Sequence, residues 1–415
     1  MTIPLWSALL LAAGFGVLAM RQMPLALALL LALLPTYELR FSVGPVPSTL
    51  LEVLFLMLAA IWLIRRGGIR GLAIPWGWLL LLFLLTATVA LLMSPNLRGA
   101  LGQYRAVILE PLLLFLLVAD VIRTRAHLRL LLWGLGSGVL LIGYVAFVQT
   151  LGLFPSPEPW ISESPPRVAS VFAYPNAVGL FVAPLVALFA GLLLVPTSGR
   201  VLLLRRRFLL GVGVAGLLAI ALSMTRGALV GLLAGFLVVL WYSPRRFRWT
   251  VLLALAFLLI VAVPSTRSQL AAVLQGADVS SDVRGVLWVG TARLLHAHPI
   301  TGAGMAGFPI LYDQYRLAQH TELLRYPHTM LFNVWVELGL AGVGIFILLL
   351  VRAYQTAARG VRQDQTGLSV GLLAAFTTLL VHGLVDVPYF KNDLAMLFWL
   401  LLATTVVHRR LASTE

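Results

Sequence analysis

The chain has 415 residues, 60% hydrophobic and only 11% charged, with a mean hydropathy of +0.98. Soluble domains run at roughly 45–50% apolar and about 25% charged, so the composition excludes a soluble globule and implies an integral membrane protein. Its 30 basic and 15 acidic side chains give a net charge of +15, but long apolar runs separate them and no basic face for nucleic acid can form; the absence of cysteine excludes thiolate metal sites, thiol nucleophiles and disulfides.

Crossing about 30 Å of hydrocarbon takes roughly 20 apolar residues. Stretches near that length occur at 3–20, 22–36, 48–64, 73–93, 106–122, 128–152, 168–195, 202–223, 227–242, 249–264, 329–351, 366–386 and 389–408. They predict an all-α polytopic membrane protein of about 12–13 transmembrane helices. Three parts are expected: an N-terminal bundle at 1–264, one long, partly helical loop at 265–327 that caps the bundle mouth, and C-terminal helices with a short tail at 328–415. Arg21-Gln22-Met23-Pro24 separates the first two segments only thinly, so these can also form one shallow hairpin. The opening segment lacks a basic n-region and is expected to be retained.

Lys and Arg accumulate in cytoplasmic loops. One alternating set of loops carries 19 basic residues against three acids, including Arg65, Arg66, Arg123, Arg125, the Arg205–Arg207 run, Arg245, Arg352, Arg359, Arg409 and Arg410. That set is assigned to the cytoplasm, with the C-terminus. The remaining 11 basic residues face 12 acids on the other side, and the residues with chemical potential lie among them.

In chain order, Arg105 and Glu110 come first, in YRAVILEP, where an acid near membrane depth needs a partner or a function. Arg167 begins RVASVFAYPNAVGLFVAP, whose Pro175-Asn176 interrupts an apolar run and leaves backbone groups free, as in the wall of a polar cavity. Arg226, in SMTRGALVGLLAG, is an outer arginine that runs against the charge bias; it can snorkel at a helix end, or bind an anion. Gly227, Gly231 and Gly235 after it form a small-xxx-small face for close helix approach.

The loop segment DVRGVLWVGTARLLHA (282–297) has helical spacing of Val283, Val286, Leu287, Leu294 and Leu295, with Arg284 and Trp288 one turn apart. It is expected to lie at the membrane surface, Trp288 inserting and Arg284 aimed inward. Gly302, Gly304 and Gly307 predict a flexible turn after it. His328, in YPHTMLFNVWVELGLAG, is an outer histidine fixed on a helix, and an ordinary pKa near 6.5 suits it to take a proton from a hydroxyl. Glu337, nine residues on, lies about 13 Å deeper by helical rise and must be paired, protonated or functional. His296 and His298 have no acidic or thiol companion nearby in sequence, so no metal is expected there.

These segments resemble the superfamily of O-antigen ligases and O-antigen polymerases, bacterial envelope proteins that assemble glycans. The specific part of the resemblance runs from Arg167 to Gly342: RVASVFAYPN, TRGALVG, VRGVLWVGTARLLHAHPITGAG and PHTMLFNVWVELGLAG. The last is similar to the ligase pattern of His, an amide or Ser, nine residues and GxxG, met here by His328, Gly339 and Gly342, with Thr329 in place of the amide or Ser. The resemblance implies a glycosyltransferase C-like bundle in the bacterial inner membrane. It also implies metal- and cofactor-independent transfer from a polyprenyl-diphosphate-linked glycan to a hydroxyl of a glycan or lipid A-core acceptor, by ligase or polymerase. Arg226 and Arg284 would hold the diphosphate and His328 would be the base; Arg105, Arg167, Asn176, Trp288 and Glu337 are further substrate-binding candidates. From the residues alone, Glu337 and the Pro175-Asn176 break also fit a secondary transporter or flippase.

Overall fold

The computed structural model describes residues 3–44, 46–164, 166–195, 203–245, 279–318, 325–362 and 366–413. The expected span at 249–264 and the loop stretches 265–278 and 319–324 lie outside the described residues. The architecture is all-α and polytopic, with one short β-hairpin.

Helix α1 (Leu5–Arg21) stops at Gln22 and α2 (Met23–Ala32) starts at once, with Pro24 in its first turn, where a missing N–H costs little. The chain then returns to its start: Ile3 N–H donates to Arg40 O at 3.0 Å. The two segments therefore form a hairpin, one of the two forms the thin separator allowed. Strands β1 (Arg40–Val43) and β2 (Val46–Thr49) pair antiparallel, Arg40 opposite Thr49, around Gly44 at φ +60°. This ribbon was not expected from the apolar runs, which are all helical in length. Thr49 caps α3 (Leu50–Arg66), accepting from Glu52 N–H at 3.2 Å.

After α4 (Gly77–Leu92), the segment expected to begin at 106 is already helical from α5 (Leu97–Tyr104). A π-turn at Arg105–Leu109 leads into α6 (Glu110–Val121). Pro111 cannot donate to the carbonyl of Val107; the Tyr389 hydroxyl donates to it instead at 2.8 Å, and Asn392 Nδ2 donates to Ala106 O at 2.8 Å. Helix α7 (Arg125–Thr150) precedes α8 (Pro175–Leu194), which starts seven residues later than the apolar run predicted because Pro175 occupies its first position.

Helices α9 (Arg206–Ser223) and α10 (Arg226–Tyr242) are joined only by Met224 and Thr225, and α11 (Val279–Ala297) and α12 (Phe308–Leu311) follow. The chain closes with α13 (Met330–Val361), α14 (Leu368–His382) and α15 (Asn392–Ser413). Among the described residues, α7, α8, α9, α13 and α15 are long and apolar enough to cross a membrane, and α1, α2, α4, α10 and α14 are shorter apolar helices. The core joins α8, α10 and α14. A Cβ on Gly191 of α8 would sit 2.4 Å from Gly371 Cα of α14, so only glycine permits that approach. The small-residue face of α10 packs as expected, also on α14: Cβ atoms on Gly231 and Gly235 would come within 2.7 Å of Thr378 O and 2.1 Å of Thr378 Oγ1.

The segment between α11 and α13 corrects one expectation. Its glycine-rich turn is wedged, not flexible. Gly302 has φ +64° and a Cβ there would lie 2.3 Å from Trp335 O; Ala303 N–H donates to Val336 O at 2.8 Å, and Leu340 N–H to Ile300 O at 3.0 Å. The wedge explains the GxxG pattern. Gly339 breaks α13 at φ +70°, ψ −177°, a conformation essentially reserved for glycine, and a Cβ on it would lie 2.3 Å from Ile300 O. Gly342 leaves room for Leu338, whose Cβ would be 2.2 Å from an added methyl. Leu287, Leu294, Leu295, Phe308 and Tyr312 close over the wedge as a second small core with Val336; Val283 and Val286 are only half-buried. Gly339→Ala is expected to cost at least about 1–3 kcal/mol through backbone strain alone, seen as a lower melting temperature in nanodiscs; an unchanged value would contradict this role.

Candidate functional site

Two ends of the bundle differ in charge. At one, Arg66 and Arg123 share Asp120, at 3.5 and 2.8 Å, and Arg410 donates to Ala119 O and Ile122 O at 2.8 and 2.5 Å. The N-terminal ends of α8, α10, α13 and α15 and the C-terminal ends of α9 and α14 meet at the other, with residues 160–164 and 166–174 lying across them. The unusual residues collect at that second end.

A chain of polar contacts joins four segments there. Arg167 donates through Nε to Ser223 O at 3.1 Å and through a terminal nitrogen to Asn176 Oδ1 at 2.9 Å, with Trp160 under its guanidinium. Asn176 Nδ2 donates to Asp386 Oδ2 at 3.1 Å. Asp386, only 2% exposed, takes the Val387 N–H on Oδ1 at 2.8 Å and holds the same oxygen 3.7 Å from His328 Nδ1, an ion-pair distance. Burial pushes the Asp386 carboxyl up, but the His328 and His382 imidazoles and the Val387 N–H outweigh it and hold the group below the usual carboxylate value.

His328 itself has φ +51°, a strained conformation for a residue with a Cβ. Trp288 helps to fix it. Its indole N–H donates to Pro327 O at 2.9 Å, so this half-buried tryptophan ties α11 to the segment before α13. Tyr326 packs on the His328 ring at 4.3 Å. Burial and the Asp386 charge push the Tyr326 hydroxyl well up, against a hydrogen bond with Tyr174 and the charge of Arg284. The Arg284 charge is felt at Tyr326 and also at His382.

Arg226 opens α10 and is exposed. Gly227 beside it lies against the His382 ring of α14, where a Cβ would come 2.7 Å from Cδ2. Burial lowers the Arg167 pKa, Glu163 opposes this, and the Arg226 charge lowers it further, so the two guanidiniums repel one another. An anion placed between them would relieve that repulsion.

Arg167, Asn176, Arg226, Arg284, Trp288 and His328 therefore belong to one neighbourhood. Arg105 and Glu337 stand apart. Arg105 forms a bidentate pair with Glu52 and lies 3.7 Å from Glu110, so its charge is already matched. Glu337 Oε2 accepts from Gln103 Nε2 at 2.9 Å and from Ala306 N–H at 2.8 Å, pinning the wedge to α13. Between these groups and Tyr326 lies a cavity of about 550 Å³. Asp386, His382, Tyr326 and Tyr174 were missed in the sequence. The signal was present in VHGLVDVPYF, where His382 and Asp386 stand one helical turn apart just past an apolar run.

Residues 211–347 match the model of a protein family described as O-antigen ligase. This match bears out the resemblance to the O-antigen ligase and polymerase superfamily, and its span includes Arg226, Arg284, Trp288, His328 and Glu337. No curated protein matches the chain.

Proposed function

We propose that this multi-pass membrane protein, with its match to the O-antigen ligase family, transfers a glycan from a polyprenyl-diphosphate carrier to a hydroxyl of a glycan or lipid A-core acceptor. The observation that carries the reading is the gathering of Arg167, Arg226 and Arg284 around the His328–Asp386 pair. Arg226 and Arg284 bind the diphosphate, whose charge grows as the anomeric C–O bond breaks; preformed guanidinium donors then stabilise the transition state more than the ground state. His328, with Nδ1 turned to Asp386, takes the acceptor proton on Nε2. The freed oxygen attacks the anomeric carbon, the bonding pair leaves with the diphosphate, and the carbon inverts.

Arg167 and Asn176 fix Asp386 in place through their hydrogen bonds, a positioning role. No metal or cofactor is required, since the guanidiniums supply the positive charge. The site lies at the end opposite the arginine-rich loops, which the positive-inside rule places in the cytoplasm; the reaction then faces the periplasm of a bacterial inner membrane, with α11, the wedge and α12 capping the bundle mouth.

The test is incubation of the purified protein in nanodiscs with a polyprenyl-diphosphate oligosaccharide and candidate acceptors in EDTA, followed by mass analysis. Product on lipid A-core identifies a ligase, and a lengthened donor glycan a polymerase. Strict dependence on added metal would overturn the metal-free mechanism, and failure to form either product would overturn the transferase reading.

A further inference from the structure

The cavity of about 550 Å³ beside the site is within the roughly 300–1,000 Å³ of pockets that enclose drug-sized ligands. It shares Tyr174 and Tyr326 with the catalytic neighbourhood, and Phe390 adds a third aromatic face. The buried cation of its wall is matched: Lys391 Nζ lies 3.0 Å from Glu38 and 3.7 Å from Asp393, above the rings of Tyr37, Phe172 and Tyr174. The other two cations of the lining, Arg40 and Arg325, are exposed, so the buried wall itself calls for no negative charge.

Two amides in the lining are incomplete. Asn333 on α13 is 1% exposed, and among the described residues neither its Oδ1 nor its Nδ2 has a hydrogen-bond partner. Asn392, 5% exposed, uses Nδ2 on Glu110 and Ala106 O and leaves Oδ1 without a partner among the same residues. Buried polar groups are normally satisfied. Together these two side chains offer two acceptors and one NH2 donor between aromatic faces. A sugar ring has the matching chemistry: hydroxyls that both donate and accept, and apolar C–H faces that lie on aromatic rings.

We infer that this cavity is a glycan-binding chamber that seats a neutral sugar of the transferase's own substrates, its hydroxyls bonded to Asn333 and Asn392. The inference rests on the transferase reading above. The ring can come from the acceptor or from the glycan of the donor, and the experiment separates the two.

The experiment is steady-state transfer by Asn333→Leu in nanodiscs, with KM measured separately for the polyprenyl-diphosphate oligosaccharide and for the acceptor. Losing a ligand hydrogen bond is expected to raise one KM about tenfold with kcat largely retained, and the affected substrate is the one whose sugar occupies the chamber. Melting temperature should hold or rise, since a buried amide without a protein partner gives way to an apolar group of similar size. Asn333→Ala serves if the leucine variant misfolds. Both KM values unchanged in a folded variant, with the wild type active, would overturn the chamber and leave the transferase reading standing; an inactive wild type would overturn that reading and the chamber with it.

Discussion

Arg226→Ala and Arg284→Ala each lower kcat for glycan transfer by about 10²–10³-fold, the usual cost of removing one donor aimed at developing negative charge. The two residues reach the site from independent elements, α10 and α11, so either loss leaves the other guanidinium in place and activity falls steeply without vanishing. Lysine at either position should restore only part of the rate, because a point charge cannot replace a planar bidentate fork. The leaving diphosphate is the group being stabilised, so the loss should appear in kcat more than in acceptor KM. Membrane insertion and melting temperature should stay near wild type for Arg226→Ala, since that side chain is exposed. Wild-type rates in both variants would remove the arginines from the mechanism.

His328→Ala lowers kcat by about 10²–10⁴-fold, the range for a general base. Asp386→Asn tests the partner. Its carboxylate lies 3.7 Å from His328 Nδ1, where it can hold the ring in place as the group that orients the base, so removing it should slow transfer. The sign of the Asp386 shift sets the pH at which its charge is available. Its folded-state pKa lies below its ordinary value, so its stabilising charge is fully present above that ordinary value and is lost only as pH falls through the lower, folded one. A loss of rate near neutrality therefore does not come from Asp386. An unchanged kcat in Asp386→Asn would disconnect the two residues.

What could be read from the sequence was local. The outer position of Arg226, the Arg284–Trp288 spacing and the His328–Gly339–Gly342 pattern each lie within one short stretch, and each marked a residue that the fold places near the others or uses to shape α13. What could not be read was long-range. Asp386 meets His328 from the turn after α14, and Tyr174 meets Tyr326 from the other half of the chain; no periodicity connects such positions. Glycine misled in one place, because the residue that loosens a turn is also the one that lets two backbones touch, and Gly302 does the second. Arg105 misled for the opposite reason: its partner Glu52 sits on α3, far away in sequence.

The wedge at Gly302 and the Trp288–Pro327 bond have a joint mechanical result. They make α11, the turn after it and the start of α13 one body, so Arg284 and His328 share a frame of reference and any shift of the cap carries both. Arg226 stands on α10, packed on α14 through Gly227, Gly231 and Gly235, and α14 is joined to the start of α13 by the Met330 N–H to Gly383 O bond at 2.7 Å. The two arginines therefore stand on opposite sides of one joint, the α13–α14 contact that also carries His328 and Asp386, and a donor bound between them would be gripped across it.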